Sequence, residues 1–137
     1  MRTIVITGAS DGIGAAASRQ LVSKGHRVIL VGRSPEKTRA VAEELGMPHH
    51  LADFADLAQV RRLADELLAA YPRIDVLANN AGGIFGPRML TTDGFEQTFQ
   101  VNHLGPFLLT NLLHERLVDS EASIIQTASA AARIFSR

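Results

Sequence analysis

The sequence predicts an α/β fold, a doubly wound parallel sheet with strands in the order 3-2-1-4-5 and helices on both faces. Short runs rich in Val and Ile alternate with stretches of helical periodicity, the pattern of successive βαβ units. Three glycines, Gly8, Gly12 and Gly14, fall between the first apolar run and the first helical stretch. The length of 137 residues, with 46% hydrophobic and 20% charged side chains, suits one globular domain spanning 1–137.

Thr3–Thr7 reads as the first strand. Ile13, Ala16, Ala17 and Leu21 then recur at helical spacing, and Gly25 stops that helix. Arg27–Val31 is a second buried strand. Ser34 is a good N-cap and Pro35 suits a first helical position. Val41, Ala42 and Leu45 give this second helix an apolar face, and Gly46 ends it. His49–Ala52 is a short third strand. Asp56 followed by Gln59 predicts a capping box, after which Val60, Leu63, Ala64, Leu67 and Leu68 form an apolar stripe that Tyr71-Pro72 breaks.

Asp75–Asn79 reads as a fourth strand and Ser123–Thr127 as a fifth. Between them, Thr92–Leu117 is mainly helical, with Val101, Leu104, Leu108, Leu112 and Leu117 on one side. Pro106 lies inside this stretch. An interior proline costs a helix about 3 kcal/mol, which predicts a break or kink near residues 102–106.

Composition narrows the function. Fourteen basic and fourteen acidic residues cancel, whereas a nucleic-acid binder normally carries a basic excess. No apolar run reaches the roughly 18 residues of a membrane span. The N-terminus enters a strand at once, leaving no room for a signal peptide, and cysteine is absent. The expectation is a cytoplasmic protein without a nucleic-acid or membrane partner.

The segment Thr7-Gly8-Ala9-Ser10-Asp11-Gly12-Ile13-Gly14 joins a strand to a helix. In that setting Gly8 permits a tight turn, Gly12 lets backbone approach a pyrophosphate, and Gly14 lets helix and strand pack closely. The helix N-terminus offers N–H groups and a partial positive charge to phosphates. The spacing is G-x-x-x-G-x-G. Together with Asn79-Asn80-Ala81-Gly82 and Val101-Asn102-His103-Leu104-Gly105, it resembles the short-chain dehydrogenase/reductase family from residue 3 to about residue 132. Asp93-Gly94-Phe95-Glu96 further resembles the retinol-dehydrogenase-like and WW-domain-oxidoreductase-like branch.

The resemblance implies a Rossmann-like domain and hydride transfer between a nicotinamide cofactor and a carbonyl or alcohol. Ser10, Asp11 and Ile13, with the three glycines, fall in the turn that holds the cofactor. An NAD-preferring fold places an acid at the end of its second strand, but here Gly32 stands there, followed by Arg33. A guanidinium can clamp a 2′-phosphate, which favours NADP(H) over NAD; a solvated surface arginine is the alternative. Relatives specific for NADP often carry a basic residue where this chain has Asp11, which could equally cap the helix or face solvent. By the resemblance, Asp53 hydrogen-bonds the adenine amine with Phe54 beside it, Asn80 in the turn after the fourth strand steadies the sheet, and Ala81 and Gly82 lie near the nicotinamide ribose; an ordinary Asn-Asn-Ala-Gly turn is the alternative. Asp53 could equally cap its own loop.

The family's catalytic set is Asn, Ser, Tyr and Lys. Asn102 matches the Asn, at the predicted helix break where a freed carbonyl could bind a relay water; an ordinary surface Asn is the alternative. Ser129 matches the Ser, with Ala128 in place of a companion Ser, or it caps a helix over 130–132. The Y-x-x-x-K pair lies downstream in the family, and eight residues follow Ser129. The single tyrosine, Tyr71, has Asp75 four residues on. The expectation is therefore a C-terminally incomplete, cofactor-binding part of a reductase, inactive by itself, with a homo-oligomer possible by family habit. A non-catalytic nucleotide-binding or interaction module is the other reading. No metal site is expected, because His49 and His50 are neighbours on a strand and point to opposite faces.

Overall fold

The computed structural model describes residues 1–129. Among these, β1 (Thr3–Thr7), β2 (Arg27–Gly32), β3 (His49–Leu51), β4 (Val76–Asn79) and β5 (Ser123–Gln126) form one parallel sheet in the order β3-β2-β1-β4-β5. The predicted topology holds. Central β1 pairs with β2 from Thr3↔Arg27 to Thr7↔Val31 and with β4 from Ile4↔Val76 to Ile6↔Ala78. Val5, Ile29 and Leu30 are fully buried, and burial on both sheet faces is why these strands read as unbroken apolar runs.

Four strand ends differ from the sequence expectation by one residue: β2 runs on to Gly32, while Ala52, Asp75 and Thr127 lie just outside β3, β4 and β5. Ala52, Asp75 and Thr127 still donate their N–H groups to the neighbouring strand, to Gly32, Thr3 and Asn79 respectively, so the ladder frays there and does not stop abruptly.

Helices α1 (Gly12–Ser23) and α2 (Pro35–Leu45) cover one face, around Ile4, Ile6, Val28 and Leu30. Helix α3 (Leu57–Ala70) and α5 (Gly105–Leu112) cover the other, around Val5, Ile29, Val31 and Leu77. In α2, Ser34 Oγ accepts from Lys37 N–H and Gly46 closes the helix at φ +63°, as expected. Val60, Leu63, Ala64 and Leu67 form the buried stripe of α3.

Three local expectations need correction. In α1 the buried residues are Gly14, Ala15 and Ser18, while Ile13 is 77% exposed. The first turns of this helix lie so close to the glycine turn that small residues fill the inner face there, while Leu21 and Val22 pack on the core further along. The capping box at α3 is not reciprocal: Asp56 caps Ala58 N–H, but Gln59 Oε1 accepts from Asp53 N–H and not from Asp56. The third concerns the long helical stretch. It begins later, with α4 (Gln97–Phe99), and continues as a π-turn over Gln100–Leu104, then α5 and α6 (His114–Asp119).

The π-turn occupies the place where Pro106 predicted a break. Its extra residue also shifts the buried stripe by one. Val101 is followed by Leu109, Leu113 and Leu117 in the core, while Leu108 and Leu112 are only partly buried. An unbroken helical period had pointed to Leu104, Leu108 and Leu112.

Candidate functional site

The glycine turn crosses the carboxyl end of β1, where ligands bind in open α/β sheets. Gly8 (φ +65°) has the left-handed backbone that glycine favours, and a Cβ there would lie 2.9 Å from Ala81 Cα. A Cβ on Gly14 would lie 2.1 Å from Gly8 O and 2.7 Å from Asn80 Nδ2. A Cβ on Gly12 (φ +50°) would meet nothing within 4 Å. So two of the glycines let protein pack against protein, and the third keeps a surface of the turn bare. Ala9 N–H donates to Val31 O, tying the turn to β2.

Asp11 is the N-cap of α1: Oδ1 accepts from Gly12 N–H at 2.8 Å, and Oδ2 lies 3.6 Å from Lys37 Nζ. Exposed Ile13 stands beside this cap. At the end of β2, a Cβ on Gly32 would lie 2.1 Å from Thr38 Oγ1 and 3.2 Å from Ser10 Cβ. Thr38 is buried and its hydroxyl donates to Ser34 O. A side chain at residue 32, acidic or otherwise, would displace the Thr38 hydroxyl from its bond to Ser34 O. Arg33 next to it is exposed, and among the described residues no carboxylate pairs with it.

Beyond β3, Asp53 Oδ1 accepts from Ala55 N–H at 2.9 Å, so this carboxylate does cap its own loop. Its Oδ2 has no protein donor among the described residues. Phe54 is buried beneath this loop, against Gly105.

The turn after β4 is pinned to the glycine turn. Buried Thr7 Oγ1 accepts from both Asn80 N–H and Ala81 N–H at 3.0 Å, and Asn80 Nδ2 reaches Gly8 O at 3.4 Å. A Cβ on Gly82 would lie 2.9 Å from Asn102 Oδ1. The Asn102 amide clamps the next residue on both sides: Oδ1 accepts from Gly83 N–H at 2.9 Å and Nδ2 donates to Gly83 O at 2.8 Å. Asn102 is thus no idle surface residue, and it sits on the π-turn. Asn79 on β4 donates from Nδ2 to Thr110, while its buried Oδ1 has no partner among the described residues. Ser129 follows β5 at the same end of the sheet and is exposed.

The structure therefore brings together Gly8, Gly12, Gly14, Asn80, Ala81, Gly82 and Asn102 in one connected crevice, with Ser10, Asp11 and Arg33 on the β2 side. Asp53 and Phe54 stand on the loop beyond β3. Sequence reading missed the roles of Thr7, Thr38, Lys37 and Gly83. Only Thr7 carried a usable signal, as a hydroxyl closing a strand before a glycine. Among the described residues no cluster of three His, Asp or Glu side chains could hold a metal, and no helix is long and apolar enough to cross a membrane.

The family profile described as short chain dehydrogenase matches residues 2–136. The chain belongs to the short-chain dehydrogenase family. It is 53% identical over 122 residues to a protein of Streptomyces sp. (strain C5) assigned as a daunorubicin C-13 ketoreductase, covering 85% of this chain and 42% of that one. It is 39% identical over 140 residues to human retinol dehydrogenase 13, covering 97% and 42%. The chain thus spans less than half the length of these relatives. Among solved structures, a Shigella flexneri short chain dehydrogenase complexed with NADP superposes with a TM-score of 0.82 at 31% identity, covering 96% of this chain and 60% of that one. The dehydrogenase fold and the oxidoreductase class of the family follow from these matches.

Proposed function

We propose that this chain binds NADP(H) across the carboxyl ends of its strands and serves hydride transfer between the nicotinamide and a carbonyl or alcohol substrate. The observation that carries the cofactor choice is the pair Gly32 and Arg33. Thr38 leaves no room for an acid at residue 32, and Arg33 presents a guanidinium with no carboxylate partner among the described residues. An acid there would bind ribose hydroxyls and repel a 2′-phosphate; a guanidinium attracts one. The solved NADP complex of a relative supports the same reading.

In this arrangement the bare backbone at Gly12 and the N–H groups of α1 hold the pyrophosphate, with Ser10, Asp11 and Ile13 lining the turn. Asp53 Oδ2 accepts from the adenine amine beside Phe54. Asn80, Ala81 and Gly82 border the nicotinamide ribose. The cofactor supplies the hydride. Asn102 and Ser129 orient groups at the reacting end; neither donates a proton readily near neutral pH. The relatives extend to more than twice the matched length, which supports reading 1–137 as the dinucleotide-binding domain of a longer reductase. On that reading a Tyr–Lys pair lies in the remainder, and residues 1–137 by themselves do not turn over.

Calorimetric titration with NADPH and NADH tests the cofactor choice. NADPH is expected to bind tighter by about tenfold or more, the worth of one charge-assisted contact. Equal affinities would overturn it.

A further inference from the structure

Among the described residues Gln100 is the largest buried polar side chain, with no exposed surface. Its amide is fully engaged. Nε2 donates to Phe54 O at 3.0 Å and to Asp93 Oδ2 at 3.1 Å, and Oε1 accepts from the Thr91 hydroxyl at 2.6 Å. Asp93 Oδ2 also accepts from Leu57 N–H at 2.9 Å. Gln100 on the π-turn and Asp93 in the β4–α4 connection thus hold the loop beyond β3 at two points. Gly105 adds a third hold: a Cβ on it would lie 3.2 Å from Phe54 Cβ, Cγ and Cδ2, so the first residue of α5, directly after the π-turn, packs its bare backbone on the Phe54 side chain.

That loop needs an outside anchor. Strand β3 is three residues long and sits at the sheet edge, with β2 as its one neighbour. The other hydrogen bonds of residues 53–57 are local, from Ala55 and Asp56 to Asp53 and from Asp53 to Gln59. Without Gln100 and Asp93 the loop would be hydrogen-bonded only to itself and to the start of α3.

We propose that Gln100 is a positioning residue of the cofactor site: it sets Asp53 and Phe54 in place at the adenine end and fastens them to the π-turn that carries Asn102 at the reacting end. The proposal rests on the NADP(H) reading above. Gln100 itself is buried and touches no ligand; it acts through the Phe54 carbonyl, one peptide away from the Asp53 carboxylate.

The test uses the full-length protein and three cofactors: NADPH, NADH, and the hypoxanthine analogue of NADPH, in which an oxo group replaces the adenine amine. The wild type should prefer NADPH by about tenfold or more, because the analogue turns a lone pair toward Asp53. In Gln100→Met, of similar volume but without the amide, that preference should fall to within about twofold, while the NADPH-over-NADH ratio set at Arg33 stays unchanged. A general loss of structure would weaken all three cofactors together and leave both ratios alone. Thr91→Val, which removes only the donor to Gln100 Oε1, should give a smaller drop in the same ratio and decides the matter if Gln100→Met does not fold. A preserved adenine preference in the variants, beside normal wild-type discrimination, overturns the positioning role alone. A wild type that binds none of the three cofactors overturns the NADP(H) reading and this proposal with it.

Discussion

Gly14 and Gly8 approach so closely that a single methyl on Gly14 would lie 2.1 Å from the Gly8 carbonyl oxygen. Gly12, two residues earlier, faces open space. The two glycines of one motif should therefore fail in different ways. Gly14→Ala forces α1 off the sheet and should lower stability by about 1–3 kcal/mol, the usual penalty of overpacking. Gly12→Val should keep most of the helical circular dichroism, strained only by its positive φ, yet lose dinucleotide binding. Thermal melts and cofactor titration separate the two. A Gly12→Val protein that binds cofactor normally would remove the phosphate role of the turn.

Arg33→Ala should weaken NADPH by roughly tenfold to a hundredfold and leave NADH nearly unchanged, since only one of them carries the 2′-phosphate. Isothermal titration of both cofactors reads the difference. Equal losses would show that Arg33 contributes in some other way.

Asn102→Ala removes both halves of the Gly83 clamp. These bonds lie at the surface, so the stability cost should be modest, about 1–2 kcal/mol for two hydrogen bonds. The consequence for hydride transfer in the full-length enzyme should be larger, because the segment following Gly82 is then free to move. Comparing melting temperature with single-turnover rate checks this; a rate loss no larger than the stability loss explains would count against it.

Asp75 gives a pH prediction. It accepts from Thr3 N–H at 2.8 Å and pairs with Arg73, and its side chain is only 13% exposed. The backbone hydrogen bond from Thr3 is the main cause that holds its pKa below the ordinary value, with Arg73 adding to it against the opposing effect of burial. The folded state therefore takes up its proton at lower pH than the unfolded state does. Stability from this group is present above the ordinary carboxylate pKa and is lost as pH falls through about 4 toward the folded value. Asp75→Asn should flatten the acid limb of a stability–pH curve. An identical limb in wild type and variant would contradict the assignment.

The sheet was legible because β1, β2 and β4 are buried on both faces and spell themselves as apolar runs, and the glycine turn because strand and helix flank it. The face of α1 was not. Periodicity looks for bulky apolar residues, whereas the first turns of this helix meet the sheet through Gly14, Ala15 and Ser18, with Leu21 and Val22 joining only near its end. The Leu109 and Leu113 stripe was hidden by the π-turn, whose extra residue no 3.6-residue period anticipates. In the candidate site the backbone-defining residues could be named from sequence, but the residues that brace them could not. Gln100 looks like any helical glutamine until Thr91 and Asp93 from one loop and the distant Phe54 from another are seen to converge on it.

The Thr7 hydroxyl sits between the two turns of the crevice, fixed by its own strand below and gripped by the Asn80 and Ala81 amides from the side. It has almost no exposed surface. The gap between the turn after β1 and the turn after β4 is therefore measured from one oxygen atom and not from the resting shapes of two independent loops. The crevice has a span of its own before anything enters it, and a bound molecule is gauged against that span.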